Sequence, residues 1–281
     1  MILIADSGST KTDWHLVDRG GSIASFRTVG LNPYFVRTDE VIHVLQQDIL
    51  PSLRDKQVEA IRFYGAGCSS AAKQAVIREA LEALFPTTHI AVEHDLLAAA
   101  RALFGRQEGI ACILGTGSNS CVYDGENITE SLFSLGYMFG DEGSGAHLGK
   151  TYIAEHLKDR VPHEIGEAFT RQYGLSKEDI LTHVYKKPEP NRFLASFTHF
   201  LRLHVEHPYI RSLVSGCFDA FFREQISRYT HTRDKTLGCI GSVAYHFSEL
   251  FMESSRKHGL RTGQFLISPM EGLIRFHSET P

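Results

Sequence analysis

Along the N-terminal third of the chain, short apolar runs alternate with longer amphipathic segments. Residues 2–5 form one apolar run, and a second begins at residues 14–17, across a turn rich in Gly, Ser and Thr. Two such runs joined by a short polar turn predict a β-hairpin. Segments with apolar residues every three to four positions predict helices. Further strands are predicted at residues 25–29, 60–64, 89–93 and 110–114, and helices at 39–53, from about 70 to 85, and at 96–104.

The strand–glycine turn–strand pattern recurs in the middle of the chain. The strand at 110–114 leads into Gly115-Thr-Gly-Ser-Asn-Ser and a further strand, CVYDG. This repeat predicts an internal duplication and two α/β lobes. Residues 145–230 are mostly helical by periodicity, and they are followed by a strand at 236–240, a helix and a last strand at 264–268. We therefore expect one lobe over residues 1–113, with 268–281 as a candidate to complete it, and a helix-rich lobe over 114–267.

Composition narrows the class of protein. The chain has 281 residues, of which 42% are hydrophobic, and this is enough for two cores. The net charge is only −4 and the Lys and Arg residues are scattered, so we expect neither nucleic acid nor a membrane as partner. An aspartate interrupts the first apolar run, which argues against a signal peptide. The five widely spaced cysteines favour a reduced, cytoplasmic protein, and the histidines show no metal-ligand spacing.

The first motif that could bind a ligand or take part in a reaction is the segment from Asp6 to Asp13. Its turn offers backbone N–H groups and hydroxyls that can surround phosphate oxygens, and Asp6 stands at a strand end where it can hold Mg²⁺. The turn lacks the spacing of a P-loop, and a strand follows it instead of a helix. A plain hairpin turn remains the alternative for this segment alone. The predicted phosphate contacts are Gly8, Ser9, Thr10, Lys11 and Thr12.

Two later glycine turns strengthen that interpretation. Gly115, Thr116, Gly117 and Ser118 repeat the same ingredients after a buried strand, without the acid. Two such turns facing each other across a cleft would hold the γ-phosphate with its metal and the β-phosphate, as phosphoryl transfer requires. The segment Cys239-Ile-Gly-Ser-Val-Ala could admit a flat base beside its backbone, although a tight turn also explains it. The predicted base contacts are Gly241, Ser242 and Ala244.

Taken in order, these motifs resemble those of the sugar kinase, Hsp70 and actin superfamily. Within it, the chain is similar to the BadF/BadG-type ATPase and N-acetylglucosamine kinase family over nearly its whole length. The matching segments are DSGSTKTDW, VEHDLLAAARALFG, ILGTGSNS, GDEGSG and CIGSVAYHF. The resemblance implies two ribonuclease-H-like lobes, a duplicated actin-like ATPase fold with a central cleft. It also implies ATP and Mg²⁺ as cofactors, with a homodimer as one arrangement to consider.

The resemblance also assigns roles to individual residues. Asp95, at a strand end and a helix start, would be the general base that accepts the proton of a sugar hydroxyl, whereas a plain helix N-cap is the alternative. His94 would then be structural. Asp141 and Asn32 would bind sugar hydroxyls, although Asp141 could also be only a first-turn acid. Gly136 belongs to the same sugar site, in a segment where the family usually has Gly-Gly-Trp-Gly and this chain has Leu135 in the aromatic position.

Three function classes follow from this sequence. The leading one is ATP-dependent phosphorylation of an amino sugar, with N-acetylglucosamine first and glucosamine or N-acetylmuramic acid next. The second is an activator ATPase for an acyl-CoA dehydratase or reductase, which needs cysteines to hold an iron–sulfur cluster. The third is a catalytically silent sugar-sensing protein. The retained Asp95 argues for catalysis and against the third class.

Overall fold

The chain divides into two units, which we describe separately. The structure, a computed structural model, describes residues 1–8, 10–18, 20–53, 56–230, 232 and 234–278. The first unit comprises Met1–Arg106 with Ser268–Pro281, and the second comprises Gln107–Ile267. The sequence-based division after residue 113 differs from this one, because the strand at 109–114 pairs with strands of the second unit.

A five-stranded mixed sheet forms the first unit. It orders its strands β3-β2-β1-β4-β5. The first three strands are antiparallel, as the hairpin pattern predicts, and β4 and β5 run parallel to β1. Parallel strands place their carboxyl ends at one edge of the sheet, where β1 ends at Ser7 and β5 at His94. The strands are β1 Ile2–Ser7, β2 Lys11–Asp18, β3 Gly21–Val29, β4 Ala60–Gly65 and β5 His89–His94.

Helices cover this sheet and bury its apolar residues. Trp14 and Phe63 lie at the centre of the core, with ring centroids 5.8 Å apart. The predicted helix at 39–53 is shorter in the structure, because its second half continues as a π turn, Leu45–Ile49, and a 3-10 turn, Leu50–Leu53. The helices are α1 Thr38–Val44, α2 Ala71–Leu84, α3 Asp95–Phe104 and, from the C-terminal segment, a last helix at Met270–Ser278.

The second unit repeats the sheet of the first. Its order is β10-β9-β6-β7-β8, again with three antiparallel strands at one side and two parallel strands at the other. The duplication predicted from the two glycine turns is therefore confirmed as two lobes of the same strand order. The strands are β6 Gly109–Leu114, β7 Ser118–Tyr123, β8 Ile128–Ser131, β9 Thr236–Ile240 and β10 Arg261–Leu266.

Nine helices between β8 and β10 lie within the described part of the second unit. The continuous helix predicted after residue 241 is two helices, because Phe247 has non-helical dihedral angles and separates them. Phenylalanines dominate the core that these helices share with the sheet. The helices are α4 Gly136–Phe139, α5 Gly145–Leu157, α6 His163–Tyr173, α7 Lys177–Lys186, α8 Pro190–Ser196, α9 Thr198–Leu203, α10 Pro208–Glu224, α11 Ser242–His246 and α12 Ser248–Lys257.

The helix at Met270–Ser278, α13, returns to the first unit and packs on α3. A Cβ atom on Gly272 would lie 2.4 Å from the Ala102 carbonyl oxygen, so only glycine permits this approach. One turn later, the buried His277 accepts a hydrogen bond from the Tyr64 hydroxyl at 2.8 Å, and the same hydroxyl accepts one from Arg101. This cluster joins the end of β4, the middle of α3 and the C-terminal helix.

Acid should weaken that cluster. Burial, with smaller effects of Arg101 and Arg62, lowers the pKa of His277 from 6.5 to about 4. Between these two pKa values, His277 binds a proton in the unfolded chain but not in the folded unit. Its contribution to the free energy of unfolding is therefore complete above pH 6.5 and is lost as pH falls towards 4. We expect this residue alone to reduce the free energy of unfolding by about 3 kcal/mol over that range. Urea unfolding at pH 7 and pH 4.5 measures it.

His277→Gln keeps an amide acceptor for Tyr64 but does not titrate. It should therefore lose about 2 kcal/mol less than the parent protein between pH 7 and pH 4.5, which span most of this titration. His163→Gln, at an exposed position, is the matched control. Equal pH dependence of the parent and His277→Gln would contradict the prediction.

In the described residues, we find no helix that combines the length and the apolar character needed to cross a membrane. All five cysteines are buried as free thiols. Cys112 on β6 pairs in register with Cys239 on β9, inside the core of the second unit. These cysteines pack as small apolar residues, as the sequence predicted.

Candidate active site

The turn between β1 and β2 is closed by backbone hydrogen bonds. The Gly8 N–H donates to the Lys11 carbonyl at 2.9 Å, and the Gly30 N–H donates to the Thr10 carbonyl at 3.0 Å. Gly8 and Thr10 are exposed, so this turn presents polar groups to solvent. Ser9, a predicted phosphate contact, lies outside the described residues. The exposed Gly8 and Thr10 stay predicted phosphate contacts.

Two other residues of this turn are engaged inside the unit. Thr12 is fully buried, and its hydroxyl donates to the Val29 carbonyl at 3.0 Å and lies 2.8 Å from the Ser7 hydroxyl. Its hydroxyl is therefore not available to a phosphate oxygen, contrary to the sequence-based prediction, because strand alternation turns it towards the core. The Lys11 ammonium donates to Asp13 at 2.7 Å but stays half-exposed.

Asp6, at the end of β1, is the carboxylate expected to hold Mg²⁺. Burial, together with the negative charges of Asp95 and Asp13, raises the pKa of Asp6 to about 7, and Lys11 offsets only part of this. A bound cation favours the ionised form of such a group. No group of three or more potential metal ligands occurs among the described residues. Mg²⁺ is commonly held by one or two carboxylates and water, so this donor set fits it.

Asp95 begins α3, but it does not cap that helix. The side chain of the preceding residue, His94, does so: its Nδ1 accepts the Leu96 N–H at 3.1 Å. Asp95 is therefore not the N-cap of α3, which was the alternative interpretation from sequence. Its Oδ1 atom is buried and lies 2.9 Å from His94 Nδ1. Because Nδ1 already accepts the Leu96 N–H, Oδ1 receives no hydrogen bond from a described residue. A buried carboxylate oxygen without a donor is well suited to accept one from a substrate hydroxyl.

Asn32 lies against a loop that we did not assign to the site from sequence. Asn32 is 7% exposed, and its Oδ1 accepts the Tyr34 N–H at 3.0 Å. A Cβ atom on Gly67 would come within 2.3 Å of that oxygen, and Gly67 also has φ of +84°. The loop that follows β4 thus fixes the Asn32 amide. The Gly-Ala-Gly sequence at a strand end was the available signal.

The second glycine turn, between β6 and β7, is joined to the start of α5. The Gly115 carbonyl accepts the Gly145 N–H at 2.8 Å, and the Thr116 carbonyl accepts the Ala146 N–H at 3.0 Å. Gly115 N donates to the Gly117 carbonyl at 3.0 Å, which closes the turn itself. The predicted phosphate turn is thus held from two sides.

Asp141 belongs to the same group of residues. Its Oδ1 accepts the Ser118 N–H at 3.3 Å, and its Oδ2 would lie 3.0 Å from a Cβ on Gly117. Asp141 has φ of +57°, a strained conformation for a residue with a side chain. Burial, with the charge of Glu142, raises its pKa despite the Ser118 N–H and Lys150. The structure therefore places Asp141 on the second glycine turn.

A glutamine that sequence analysis missed braces this turn from the far end of α10. The Gln225 side-chain Nε2 donates to the Ser118 hydroxyl at 3.0 Å, and the Ser120 hydroxyl donates to Gln225 Oε1 at 3.3 Å. The Ser118 hydroxyl in turn donates to the Glu142 carbonyl at 2.8 Å. A separation of 107 residues from Ser118 leaves no local signal for this contact.

Gly136, the predicted sugar contact, opens the short helix α4 with φ of +68°. The preceding Leu135 is 56% exposed, so an apolar but not aromatic side chain stands there. The Lys150 ammonium donates to the Tyr137 carbonyl at 2.9 Å and ties α4 to α5.

The predicted base-binding residues differ from one another in exposure. A Cβ on Gly241 would lie 2.3 Å from the Leu114 carbonyl oxygen, and Gly241 has φ of +118°. Ala244 is completely buried in the core, so it cannot contact a base as predicted, because the helical period turns it inward. Ser242 is exposed and borders a cleft of about 150 Å³, which His199, Arg202 and His246 also line.

A larger cavity of about 540 Å³ lies elsewhere in the first unit. Residues 56–58 and 84–88, which precede β4 and β5, line it. Asp6 and Asp95 lie at the carboxyl ends of β1 and β5, whereas this cavity lies at the amino ends of the parallel strands. We therefore assign the cavity no part in the chemistry.

We compared the chain with protein-family profiles and with curated proteins. No protein-family profile matches the chain. A curated N-acetylmuramic acid/N-acetylglucosamine kinase of Clostridium acetobutylicum is 28% identical over 170 residues, which is 57% of this chain and 56% of the relative. The match thus spans just over half the length of that curated protein.

Solved structures match over a longer range. A candidate N-acetylglucosamine kinase of Porphyromonas gingivalis is 47% identical, with a TM-score of 0.94, over 100% of this chain and 99% of the other. Another from Chromobacterium violaceum is 16% identical, with a TM-score of 0.74, over 98% of each chain. A ROK family glucokinase of Streptomyces griseus, solved with glucose and AMPPNP, shares the fold at 16% identity and a TM-score of 0.57, over 98% of this chain and 97% of that one. The full-length match at 47% identity shows that this chain belongs to the N-acetylglucosamine kinase-like family of sugar kinases.

Proposed function

We propose that this protein transfers the γ-phosphoryl group of ATP to a hydroxyl of an amino sugar. N-acetylglucosamine is the first candidate acceptor, followed by glucosamine and N-acetylmuramic acid. The observation that carries the proposal is Asp95, whose buried Oδ1 is left without a donor because His94 caps α3 in its place. The names of two kinases that this chain matches, those of Porphyromonas gingivalis and Clostridium acetobutylicum, agree with this acceptor class.

In the proposed reaction, Asp95 accepts the proton of the sugar hydroxyl as the hydroxyl oxygen forms a bond to the γ-phosphorus. The bond from that phosphorus to the β,γ-bridging oxygen breaks, and ADP leaves. Asn32 is fixed by Gly67 and contributes to binding the sugar. Asp6 would hold Mg²⁺, which neutralises phosphate charge when bound.

Residues of the second unit serve the nucleotide and the sugar in this proposal. The turn at Gly115, Thr116, Gly117 and Ser118 binds phosphate, and Gly241 and Ser242 lie beside the base. Asp141 and Gly136 bind the sugar. No observation favours the activator-ATPase alternative, since that class holds its iron–sulfur cluster between subunits with cysteines at the interface, and all five cysteines here are buried.

A panel of sugars in a coupled ADP-release assay tests the proposal. N-acetylglucosamine, glucosamine, N-acetylmuramic acid, N-acetylmannosamine and glucose would each be added with ATP and Mg²⁺. We expect at least one of the first three to stimulate ADP release strongly and to be recovered as its phosphate. ADP release that no sugar stimulates would contradict a kinase function.

Asp141→Asn should weaken sugar binding. The amide keeps an oxygen for the Ser118 N–H, so the turn is preserved, but the substrate loses a charge-assisted hydrogen bond. Such a loss of about 1.5–3 kcal/mol corresponds to a rise in the KM for the sugar of roughly 10- to 100-fold. Steady-state kinetics with each substrate varied measures this change.

The exposed Glu178→Gln on α7 is the matched control and should leave both KM values unchanged. A rise confined to the KM for ATP would instead assign Asp141 to the phosphate turn that it contacts.

A further inference from the structure

The Nδ1 atom of His94 has two neighbours, one of which requires a hydrogen-bond acceptor and the other a donor. It accepts the Leu96 N–H at 3.1 Å, which requires a lone pair on Nδ1. It also lies 2.9 Å from Asp95 Oδ1, a carboxylate oxygen to which it could donate only as N–H. One nitrogen cannot do both at once. The position of the ring proton or protons therefore decides whether Nδ1 accepts the Leu96 N–H or donates to Asp95.

Each state has a definite consequence for Asp95. With His94 neutral and its proton on Nε2, Nδ1 caps α3 and Asp95 Oδ1 remains without a donor, which is the state that the contact with the Leu96 N–H requires. With protonated His94, Nδ1–H turns to Oδ1, pairs with the carboxylate and reduces its basicity. The cap of α3 is then lost as well. Asp95 can act as a base in the first state and is impaired in the second.

We propose that His94 is a positioning residue whose protonation switches off the general base Asp95. This inference rests on the proposed kinase function, in which Asp95 accepts the proton of the sugar hydroxyl. The neutral imidazole with its proton on Nε2 is the active form. Acid inactivation of the enzyme then follows the titration of His94 and not that of a carboxyl group.

The surroundings of the pair support this assignment. Burial lowers the pKa of His94, but the hydrogen bond that the protonated ring would donate to Asp95, together with the negative charge of Asp95, outweighs it, so that the pKa lies above its usual value of 6.5. The other titratable groups near the pair are Glu93 on β5, the Cys68 thiol after β4 and Asp6 on β1. Glu93 and Asp6 are acidic and add no competing positive charge.

The pH dependence of kcat/KM for the sugar tests the proposal, with His94→Asn as the variant. Asparagine is a good N-cap, so its side-chain oxygen can accept the Leu96 N–H, but it does not titrate. Below the pKa of His94, the parent enzyme should lose activity about tenfold per pH unit. At a Mg²⁺ concentration that keeps Asp6 ionised, His94→Asn should stay within about twofold of its own plateau over the same first unit, because its remaining acid limb belongs to a carboxyl group with a lower pKa. Superimposable profiles would overturn the proposal.

Two controls keep the result specific. Asp6 also titrates near neutral pH, but as the proposed Mg²⁺ ligand its limb would move with Mg²⁺ concentration, so each profile is measured at two concentrations. His94→Ala removes the cap together with the titrating group. If loss of the cap alone caused the effect, His94→Ala and His94→Asn would differ in the position of the acid limb; we expect both limbs to lie at the same, lower pH.

A measurement without turnover separates this inference from the proposed function. In ¹⁵N-histidine NMR, the His94 signals are those missing from His94→Asn. Neutral His94 should show an unprotonated Nδ1, and Asp95→Asn should lower its pKa. A pKa of His94 that Asp95→Asn leaves unchanged would overturn the switch even if the sugar kinase activity is present. Conversely, loss of the kinase proposal in the sugar panel leaves this titration measurable.

Discussion

Replacing Asp95 by Asn is expected to lower kcat about 100- to 10,000-fold, the usual contribution of a positioned general base. The amide is nearly isosteric and can still hydrogen-bond a sugar hydroxyl, so the dissociation constant for the sugar should change only a few-fold. The helix should persist, because the cap of α3 comes from His94. Single-turnover kinetics and sugar titration by calorimetry separate the two effects.

The control for this prediction is Asp48→Asn, which makes the same chemical change at an exposed position of the first unit. It should retain the parent kcat and stability. Undiminished turnover in Asp95→Asn would remove Asp95 from the mechanism. A joint loss of turnover and sugar binding would indicate that the carboxylate serves mainly to bind the substrate.

Gly241→Ala should disrupt the nucleotide half of the site. A Cβ there would lie 2.3 Å from the Leu114 carbonyl oxygen and 3.2 Å from the Gly115 nitrogen, both backbone atoms at the start of the second glycine turn. The φ of +118° adds strain of its own. Combining overpacking and strain, we expect a loss of about 2–5 kcal/mol in unfolding free energy.

ATP affinity should also fall by more than tenfold in Gly241→Ala, because relief of the clash displaces the phosphate turn. Denaturant unfolding and ATP titration measure the two effects. Gly216→Ala is the matched control: it lies within α10 with nothing within 4 Å of the new Cβ, and it should stabilise the protein by about 0.5–1 kcal/mol. Parent-like ATP binding by Gly241→Ala would show that the turn tolerates the displacement.

Most of the scaffold could be predicted from sequence because its signals are local. The hairpin at β1 and β2 and its copy at β6 and β7 follow from two apolar runs around a Gly- and hydroxyl-rich turn. Element ends were harder: β1 extends through Asp6 to Ser7, two residues past its apolar run. Strand β8, with its half-buried Ile128–Ser131, carries too weak an alternation to be predicted.

The candidate site could be predicted only in part. Asp6, Asp95 and the two glycine turns were visible because strand ends and glycines mark them. The exposure of each side chain was not: Thr12 and Ala244 have suitable types for contacts with ATP but point into cores. Which of two adjacent residues caps α3 was also undetermined, since the side chains of both His94 and Asp95 can accept an N–H of the first helical turn.

The sequence by itself determined the duplicated strand–turn–strand pattern, the order of its motifs and the residue types available for phosphate and sugar. These depend on interactions within a few residues, which periodicity and turn chemistry record. Only the tertiary structure decided that Asp141 lies on the turn of Gly117 and Ser118, that Gln225 braces this turn, and that His277 docks on Tyr64. Contacts between residues tens to hundreds of positions apart are set by how helices pack on the sheets, and no local pattern encodes that packing.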